Sequence, residues 1–416
     1  MVRMRVKNFG PIRAGCTEDE GWIEIKRVTI FIGNQGSGKS TLAKLFSTFA
    51  WMEKALFRGD YDKKWFERKG RLTNTLLAYH RLENYISDDL DNPTSLEYEG
   101  EAYKITFVDG QLEIQELENP GYALPQVVYV PAERNFISYV RNSRELKISS
   151  DSLKEFVTVF DSAIAHLKGS VLLPINDVEL EYDKLNNILN IKDKHHKLRL
   201  TDASSGFQSS VPLFVVTQYL ADTLTGESES KNLPMSAVEI ERFKNSIAEI
   251  FRDFTLTEEQ RRVAVSVLSS RFNKSALVNI VEEPEQNLFP ESQWSILKTL
   301  LQINNQRAAN KIVMTTHSPY VVNLLSLSAL GAKVKKDILA HEEKERLLSR
   351  LAEVIDINAL VDAEDLIVFQ ANERDGTVKR LPTFEGIPTD KNYLNQFLKF
   401  SNEIFDQLLE LEQEMQ

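Results

Sequence analysis

Apolar and basic residues alternate through Met1-Val2-Arg3-Met4-Arg5-Val6-Lys7, the two-residue period of a half-buried strand. After a turn at Gly10-Pro11, Trp22-Ile23-Glu24-Ile25 and Val28-Thr29-Ile30-Phe31-Ile32 read as further strands, and Thr41-Leu42-Ala43-Lys44-Leu45-Phe46 opens a helix with an apolar face. Residues 51–90 turn helical and charged. Residues 96–117 have the look of a β-hairpin turning at Asp109-Gly110, and Gln126 to Val130 is a strand stopped by Pro131. A helix is expected over 152–167. Ile188 to Ile191 and Lys197 to Leu200 bracket a polar turn, and a helix runs through Leu213 to Leu220. Residues 226–273 are polar and helical, with a break at Leu233-Pro234. Strand patterns return at Ala276 to Val281 and Lys311 to Thr315 around a helix at 291–302, then at Leu366 to Phe369, which turns at Asp375-Gly376 toward Val378. In the last helix Tyr393, Phe397, Phe400, Ile404, Leu408 and Leu411 recur at helical spacing, and Leu394, Leu398, Phe405 and Leu409 widen the stripe. That face suits docking on its own domain or a subunit contact. Strands alternating with helices place the chain in the α/β class.

The 416 residues suffice for one large domain or two to three ordinary ones. With 61 Asp+Glu against 50 Lys+Arg, the formal net charge is -11, so the surface as a whole repels nucleic acid and acidic lipid. The most basic stretch, with Arg58, Lys63, Lys64, Arg68, Lys69 and Arg71 around Trp65 and Phe66, reads as a solvated helical insertion or as a basic recess for an acidic partner. Cys16 is the single cysteine, which excludes an intrachain disulfide framework and a zinc finger and suits a reducing compartment. No signal-peptide core and no membrane span is legible, so the expected location is cytoplasmic.

The chemistry begins at Gly33-Asn34-Gln35-Gly36-Ser37-Gly38-Lys39-Ser40, between a strand and a helix. Such a loop lets backbone N–H groups from Asn34 through Thr41 curl around phosphate, while Lys39 reaches the β- and γ-phosphates and Ser40 offers a hydroxyl to Mg²⁺. ATP and Mg²⁺ are therefore the expected cofactors. The strand Leu277 to Val281 ends in Glu282-Glu283-Pro284, where Glu282 suits the metal shell and Glu283 the general base that polarises the attacking water. His317, in Thr315-Thr316-His317-Ser318-Pro319, ends another strand at a place from which it could reach the γ-phosphate. Ser204-Ser205-Gly206-Phe207-Gln208 opens a helix, as an anion site or as an ordinary serine cap.

In this order, the P-loop, Ser-Gly-x-Gln before a helix, Glu-Glu-Pro and Thr-His-Ser-Pro resemble the ABC-type ATPases of the SMC and OLD-like branch over most of the chain. The resemblance implies a P-loop NTPase of ABC-ATPase type, with a mixed central sheet, flanking helices, a helical signature lobe and helical insertions. Residues 1–416 would form one ATPase domain. Within it, 51–95 would be a charged insertion, 136–275 the signature lobe with an insertion at 226–273, 276–330 the Walker B and switch-histidine part, and 331–416 a hairpin and helix open to oligomer or partner contact. Ser205, Gly206 and Gln208 would be the signature residues, Glu285 to Leu288 the D-loop region and His317 the switch histidine. Because one subunit's signature completes another's nucleotide site in this family, a homo-oligomer is implied, at least a dimer and open to a hexamer. The sequence departs from the family at Glu282, where aspartate is usual, at Phe207, which replaces a glycine, and at Pro131-Ala132-Glu133-Arg134, which stands where a Q-loop glutamine is expected.

The chain has neither the long heptad arrays of SMC proteins nor the clustered acids of a Toprim domain after the histidine, so it reads as an ATPase module without its own effector. Arg5 to Ile12 and Val130 to Arg134 resemble segments shared by the ATP-binding subunits of bacterial anti-phage systems, most of all the AriA-type ATPases of PARIS. That implies a Toprim-like effector nuclease, AriB, as partner and a phage anti-restriction protein that mimics DNA as trigger, without membrane or direct nucleic-acid binding. Septu-type ATPases (PtuA), which pair with an HNH nuclease, are the competing resemblance. An SMC-like DNA-repair ATPase acting on DNA is the reading from another class, disfavoured by the acidic surface.

Overall fold

The computed structural model describes all residues except 119–121, 140–147, 230–236, 253–260, 262–273, 390–391 and 415–416. Much of the insertion expected at 226–273 thus lies outside the described residues. Seven strands form the central sheet: β1 (Gly15–Cys16), β2 (Val28–Gly33), β3 (Pro125–Val130), β4 (Ala276–Glu282), β5 (Lys311–Thr316), β6 (Leu366–Ala371) and β7 (Thr377–Arg380). Their spatial order is β1-β7-β6-β2-β5-β4-β3. From β6 to β3 every pairing is parallel, and β7 returns antiparallel to β6.

The helices include α1 (Lys39–Arg58), α2 (Asp151–His166), α3 (Ser205–Glu229), α4 (Pro290–Asn305), α5 (Pro319–Leu339), α6 (Lys344–Val354) and α7 (Tyr393–Glu414). The central strands are apolar on both faces because each face is covered. Val28, Ile30 and Ile32 of β2 pack into a core with Phe156 of α2, Val215 of α3, Leu297 of α4 and Val321 of α5. Phe31 points the other way, onto Leu42, Phe46 and Phe49 of α1. On the far side of α1 lies a five-stranded antiparallel sheet built from Val2–Lys7, Trp22–Ile25, Ser95–Glu99, Tyr103–Val108 and Gln111–Glu116. Its hairpin turns where expected, with left-handed Asp109 (φ 50°) and Gly110 (φ 74°), the pair that a two-residue turn requires.

Three boundaries differ from the sequence reading. Residues 51–58 complete α1 rather than open an insertion. The signature lobe is not helical alone, since Ser170–Leu172, Glu179–Asp183, Ile188–Lys192 and Lys197–Arg199 form an antiparallel sheet. The C-terminal hairpin is part of the central sheet, with Leu366 to Ala371 paired to Val28 to Gly33, so it is core rather than a free contact surface.

Register fixes where chemistry can happen. Ile32 of β2 lies beside Thr316 of β5, and Thr315 beside Glu282 of β4, so the three strands end level. The segments that leave them share one edge of a parallel sheet, the usual place for a ligand in α/β proteins.

Candidate nucleotide site

β2 is buried throughout and ends at Gly33, where the chain must curl at once. A Cβ on Gly33 would lie 2.3 Å from the Ala371 carbonyl oxygen, and one on Gly38 would lie 2.4 Å from Ile12 Cδ1, so neither position admits a side chain without displacing a neighbour. Gly38 caps α1 in the left-handed region (φ 96°) without a side-chain acceptor. The first N–H groups of a 20-residue helix therefore have no capping side chain and point into the loop. Asn34, Gln35, Gly36 and Ser40 are exposed, whereas Ser37 and Thr41 are buried. Lys39 is also buried and donates from Nζ to the carbonyls of Gly33 (2.9 Å) and Asn34 (2.7 Å). Burial pulls its pKa down to about 8 against the opposing pull of Glu283, Glu285, Glu282 and Glu373. The lysine thus holds its own loop curled around the place where a phosphate would sit.

Glu282 ends the buried strand β4, and its Oε2 accepts from Ala132 N at 3.3 Å. Its Oε1 is buried without a partner. A carboxylate oxygen left so at the loop's edge fits a cation, and among the described residues no group of three or more His, Cys, Asp or Glu could cage one. That donor set suits Mg²⁺, which is commonly held by one or two carboxylates together with nucleotide phosphates. Ser40 and Glu282 would hold it.

Glu283 leaves the strand with left-handed backbone (φ 45°), and its Oε1 stands 3.6 Å from His317 Nε2. Burial, then the neighbouring Glu282, raises the Glu283 pKa above the usual carboxylate range. Burial, then Lys39, lowers that of His317, favouring the neutral imidazole. The pair is poised rather than locked, since 3.6 Å is beyond a hydrogen bond.

Two residues that sequence reasoning placed only within the D-loop region and the Q-loop position, without a role of their own, hold this geometry. Glu285 Oε1 accepts from His317 N at 2.7 Å and from Thr316 Oγ1 at 2.8 Å, fixing the end of β5. Arg134 is fully buried, and its guanidinium donates to the carbonyls of Ser209 (2.9 Å), Pro131 (3.2 Å), Glu282 (2.6 Å) and Glu283 (2.5 Å). One side chain thereby ties the segment after β3, the first turns of α3 and the end of β4. The Pro-Ala-Glu-Arg stretch carried that signal, as an arginine directly after a buried strand.

At the start of α3, Ser204 and Ser205 are exposed. Gly206 lies against the 286–288 turn, where an added Cβ would come within 2.9 Å of the Asn287 carbonyl oxygen. Ser209 Oγ donates to the Gln286 carbonyl at 2.7 Å. Gln208 corrects the sequence assignment. It is buried, its Nε2 donates to the carbonyls of Thr201 and Ala203, each at 3.0 Å, and its Oε1 accepts from Tyr139 Oη at 2.9 Å. With its amide occupied, Gln208 braces the loop before α3 instead of facing a nucleotide. Among the described residues no hydrogen bond joins Ser205 or Gly206 to the P-loop of the same chain.

The turn between β6 and β7 adds a contact to the P-loop, because Asn34 Nδ2 donates to Glu373 Oε1 at 3.1 Å. In the basic stretch, Lys64, Arg68 and Lys69 are exposed and Lys63 lies 3.6 Å from Glu116, so the stretch is solvated surface and not a recess. Among the described residues no helix is long and apolar enough to cross a membrane.

A family profile described as "AAA domain, putative AbiEii toxin, Type IV TA system" matches residues 28–323. The cell division ATP-binding protein FtsE of Bacillus subtilis (strain 168) is 34% identical over 85 residues, 20% of this chain and 34% of that relative. The match thus spans about a third of the relative's length. Among solved structures, the SMC head bound to the C-winged helix domain of ScpA aligns at a TM-score of 0.35 and 10% identity, covering 91% of this chain and 96% of that one. The SMC head domain from Thermotoga maritima aligns at a TM-score of 0.30 and 11% identity, over 92% of this chain and 98% of that one. The dimeric bacterial ABC transporter cassette MJ0796 aligns at 0.29 and 10%, over 92% and 100%.

Proposed function

The chain belongs to this AAA-domain family of AAA/ABC-type P-loop ATPases, and from that premise we propose that it is a self-associating ATPase that controls a separate effector in bacterial anti-phage defence. The observation that carries the catalytic part is the convergence of Lys39, Glu282, Glu283 and His317 at the level ends of adjacent parallel strands. ATP with Mg²⁺ supplies the phosphoryl group and its charge neutralisation. On binding, Lys39 exchanges the Gly33 and Asn34 carbonyls for phosphate oxygens. Glu283, once ionised, orients and deprotonates the attacking water, and neutral His317 donates or accepts at its Nε2 beside it.

Self-association is supported by the exposed start of α3, where, among the described residues, no hydrogen bond ties Ser205 to its own P-loop, which leaves it available to another copy's site. Glu283→Gln should retain ATP binding while turnover falls by about 10² to 10⁴-fold, the usual worth of a general base. Turnover near normal would remove the base assignment.

The effector is the finer part of the reading. The Arg5 to Ile12 and Val130 to Arg134 segments support an AriA-type role with a Toprim-like nuclease, AriB, as partner and a DNA-mimicking phage anti-restriction protein as trigger. Affinity purification of the tagged chain expressed with its neighbouring genes, followed by native mass determination, tests it. A Toprim-like nuclease on a symmetric multimer is the expected result. An HNH nuclease would replace it by the Septu-type reading, and a lone dimer carrying DNA by a repair ATPase.

A further inference from the structure

The Glu282 carboxylate is held unevenly. Its Oε2 accepts from Ala132 N at 3.3 Å, whereas its Oε1 is buried without a partner. A glutamate is one methylene longer than aspartate, so it has one more torsion to fix before it can ligate a cation in a single orientation. β3 supplies a group that can fix it. Tyr129 lies beside Ile280 in the parallel register, and both enter the core on the α1 face of the sheet with Val278 and Phe31. Residues two apart on a strand share a face, so Glu282 points to that side as well, diagonally ahead of Tyr129. Tyr129 is 6% exposed, and its hydroxyl is buried without a hydrogen bond, a costly state for a phenol. Burial, then the charge of Glu282, raises the Tyr129 pKa well above the usual phenol range, with Glu133 and Tyr79 adding less. The hydroxyl therefore keeps its proton and stands within reach of the Glu282 carboxylate, short of a hydrogen bond.

The Tyr129 ring is held in place by a second segment. His80, buried in the turn after the short helix Leu72–Leu77, packs edge-on against it at 4.6 Å between ring centroids. Tyr79 packs edge-on against His80 in turn, at 4.7 Å, and its hydroxyl donates to Glu155 of α2. Among the described residues neither His80 nitrogen has a hydrogen-bond partner. Burial, then Lys44, lowers the His80 pKa to about 3, so it packs as a neutral ring and brings no charge to Tyr129.

We propose, resting on the metal role of Glu282 in the ATPase reading, that Tyr129 is a positioning residue for the metal ion: its hydroxyl donates to the Glu282 carboxylate and holds it in the orientation that ligates Mg²⁺. His80 keeps the ring at that place, so the segment after Leu72–Leu77, which carries no nucleotide motif, supports the metal carboxylate from behind.

Tyr129→Phe in the full chain removes the hydroxyl and keeps the ring against His80, so its unfolding midpoint should be no lower than the parent's. Calorimetric binding of the non-hydrolysable analogue AMP-PNP, once in EDTA and once in excess Mg²⁺, separates nucleotide from metal, because the ratio of the two affinities reports what the metal adds. The affinity in EDTA should match the parent's, while that ratio should fall about tenfold, the usual cost of losing the outer partner of a metal ligand. In a Glu282→Gln background, where the metal's contribution is already lost, Tyr129→Phe should change nothing further. Equal ratios in parent and Tyr129→Phe would overturn the proposal, as would a loss that persists in full in the Glu282→Gln background. A lowered unfolding midpoint with both affinities reduced alike would also overturn it, as the mark of a merely structural tyrosine. A Glu282→Gln chain that keeps the full Mg²⁺ gain would remove the metal assignment and this proposal with it, and a parent that binds no nucleotide would remove the ATPase reading and both. Failure of Tyr129 alone is therefore distinguishable from failure of the reading it rests on.

Discussion

Replacing Lys39 by methionine should change how the stability of the nucleotide-free chain depends on pH. Lys39 is buried, and desolvation pulls its pKa from 10.5 to about 8. Below about pH 8 the lysine is protonated both folded and unfolded, so the full penalty of burying its charge is present. Between pH 8 and 10.5 the unfolded chain binds more protons than the folded one, and stability rises with pH. The whole span is worth about 3 kcal/mol at roughly 1.4 kcal/mol per pKa unit. Of this, about 2 kcal/mol falls between pH 7 and 9.5. Methionine keeps the length and removes the titration. It also strips the Gly33 and Asn34 carbonyls of their donor, at about 1 kcal/mol each, so at pH 7 the variant should match or slightly exceed the parent in stability while failing to bind ATP. The assay is thermal unfolding of both chains without nucleotide across pH 7 to 9.5, taking the difference so that titrating groups uncoupled from Lys39 cancel. At roughly 2 cal/mol/K of unfolding entropy per residue, a gain of about 2 kcal/mol for the parent is about 2 °C in Tm for a chain of 416 residues. A difference flat with pH would refute the claim that the empty loop holds a desolvated, charged Lys39.

Arg134→Lys keeps the charge but cannot span four carbonyls with one nitrogen; it should cost about 3 kcal/mol in denaturant unfolding and slow turnover more than it weakens ATP binding, and an unchanged midpoint would dismiss the clamp. Gln208→Ala should lose about 1 to 3 kcal/mol of stability by orphaning the Thr201 and Ala203 carbonyls while leaving the KM for ATP unchanged; a selective rise in KM would return Gln208 to the nucleotide. Ser205→Arg should leave the circular dichroism spectrum and nucleotide binding by single copies intact but abolish ATP-dependent assembly, whereas collapse of the fold would mean that the segment is structural.

What was legible from the sequence was local. The buried strands announced themselves because a strand covered on both faces must be apolar throughout, as Val28 to Ile32 and Leu277 to Val281 are. The P-loop was legible because its glycines answer to backbone geometry rather than to partners. Placement of the 366–380 hairpin was not, since a strand's neighbours in a parallel sheet are set by crossovers tens of residues long, and nothing in Leu366 to Ala371 names Val28 to Gly33 as its partner. The α3 start shows a different limit. Gln208 is a polar residue at the right spacing from a serine and a glycine, and only the presence of Tyr139 and the 201–203 carbonyls decides that its amide is already satisfied. The same holds for Arg134, whose partners are backbone carbonyls, and for Glu285, which takes the His317 amide and the Thr316 hydroxyl more than thirty residues away.

Those two residues explain how distant parts of the site share one geometry. Arg134 donates only to carbonyls, two of them on the Walker B acids themselves, so it sets the course of the chain through Glu282 and Glu283 without occupying either carboxylate. Its bond to Ser209 fixes that same stretch to the first turns of α3, and the Ser209 hydroxyl fixes those turns in return to Gln286. Glu285, one residue before Gln286, grips the backbone of His317. A closed circuit therefore runs from Glu283 through Arg134, α3, the 286–288 turn and Glu285 to His317, and returns across the 3.6 Å gap to Glu283. Its links are hydrogen bonds and the peptide bond between Glu285 and Gln286, and the longest separation in it is the one between base and histidine. The start of α3 and the Glu283–His317 pair are thus connected through Arg134, Ser209 and Glu285.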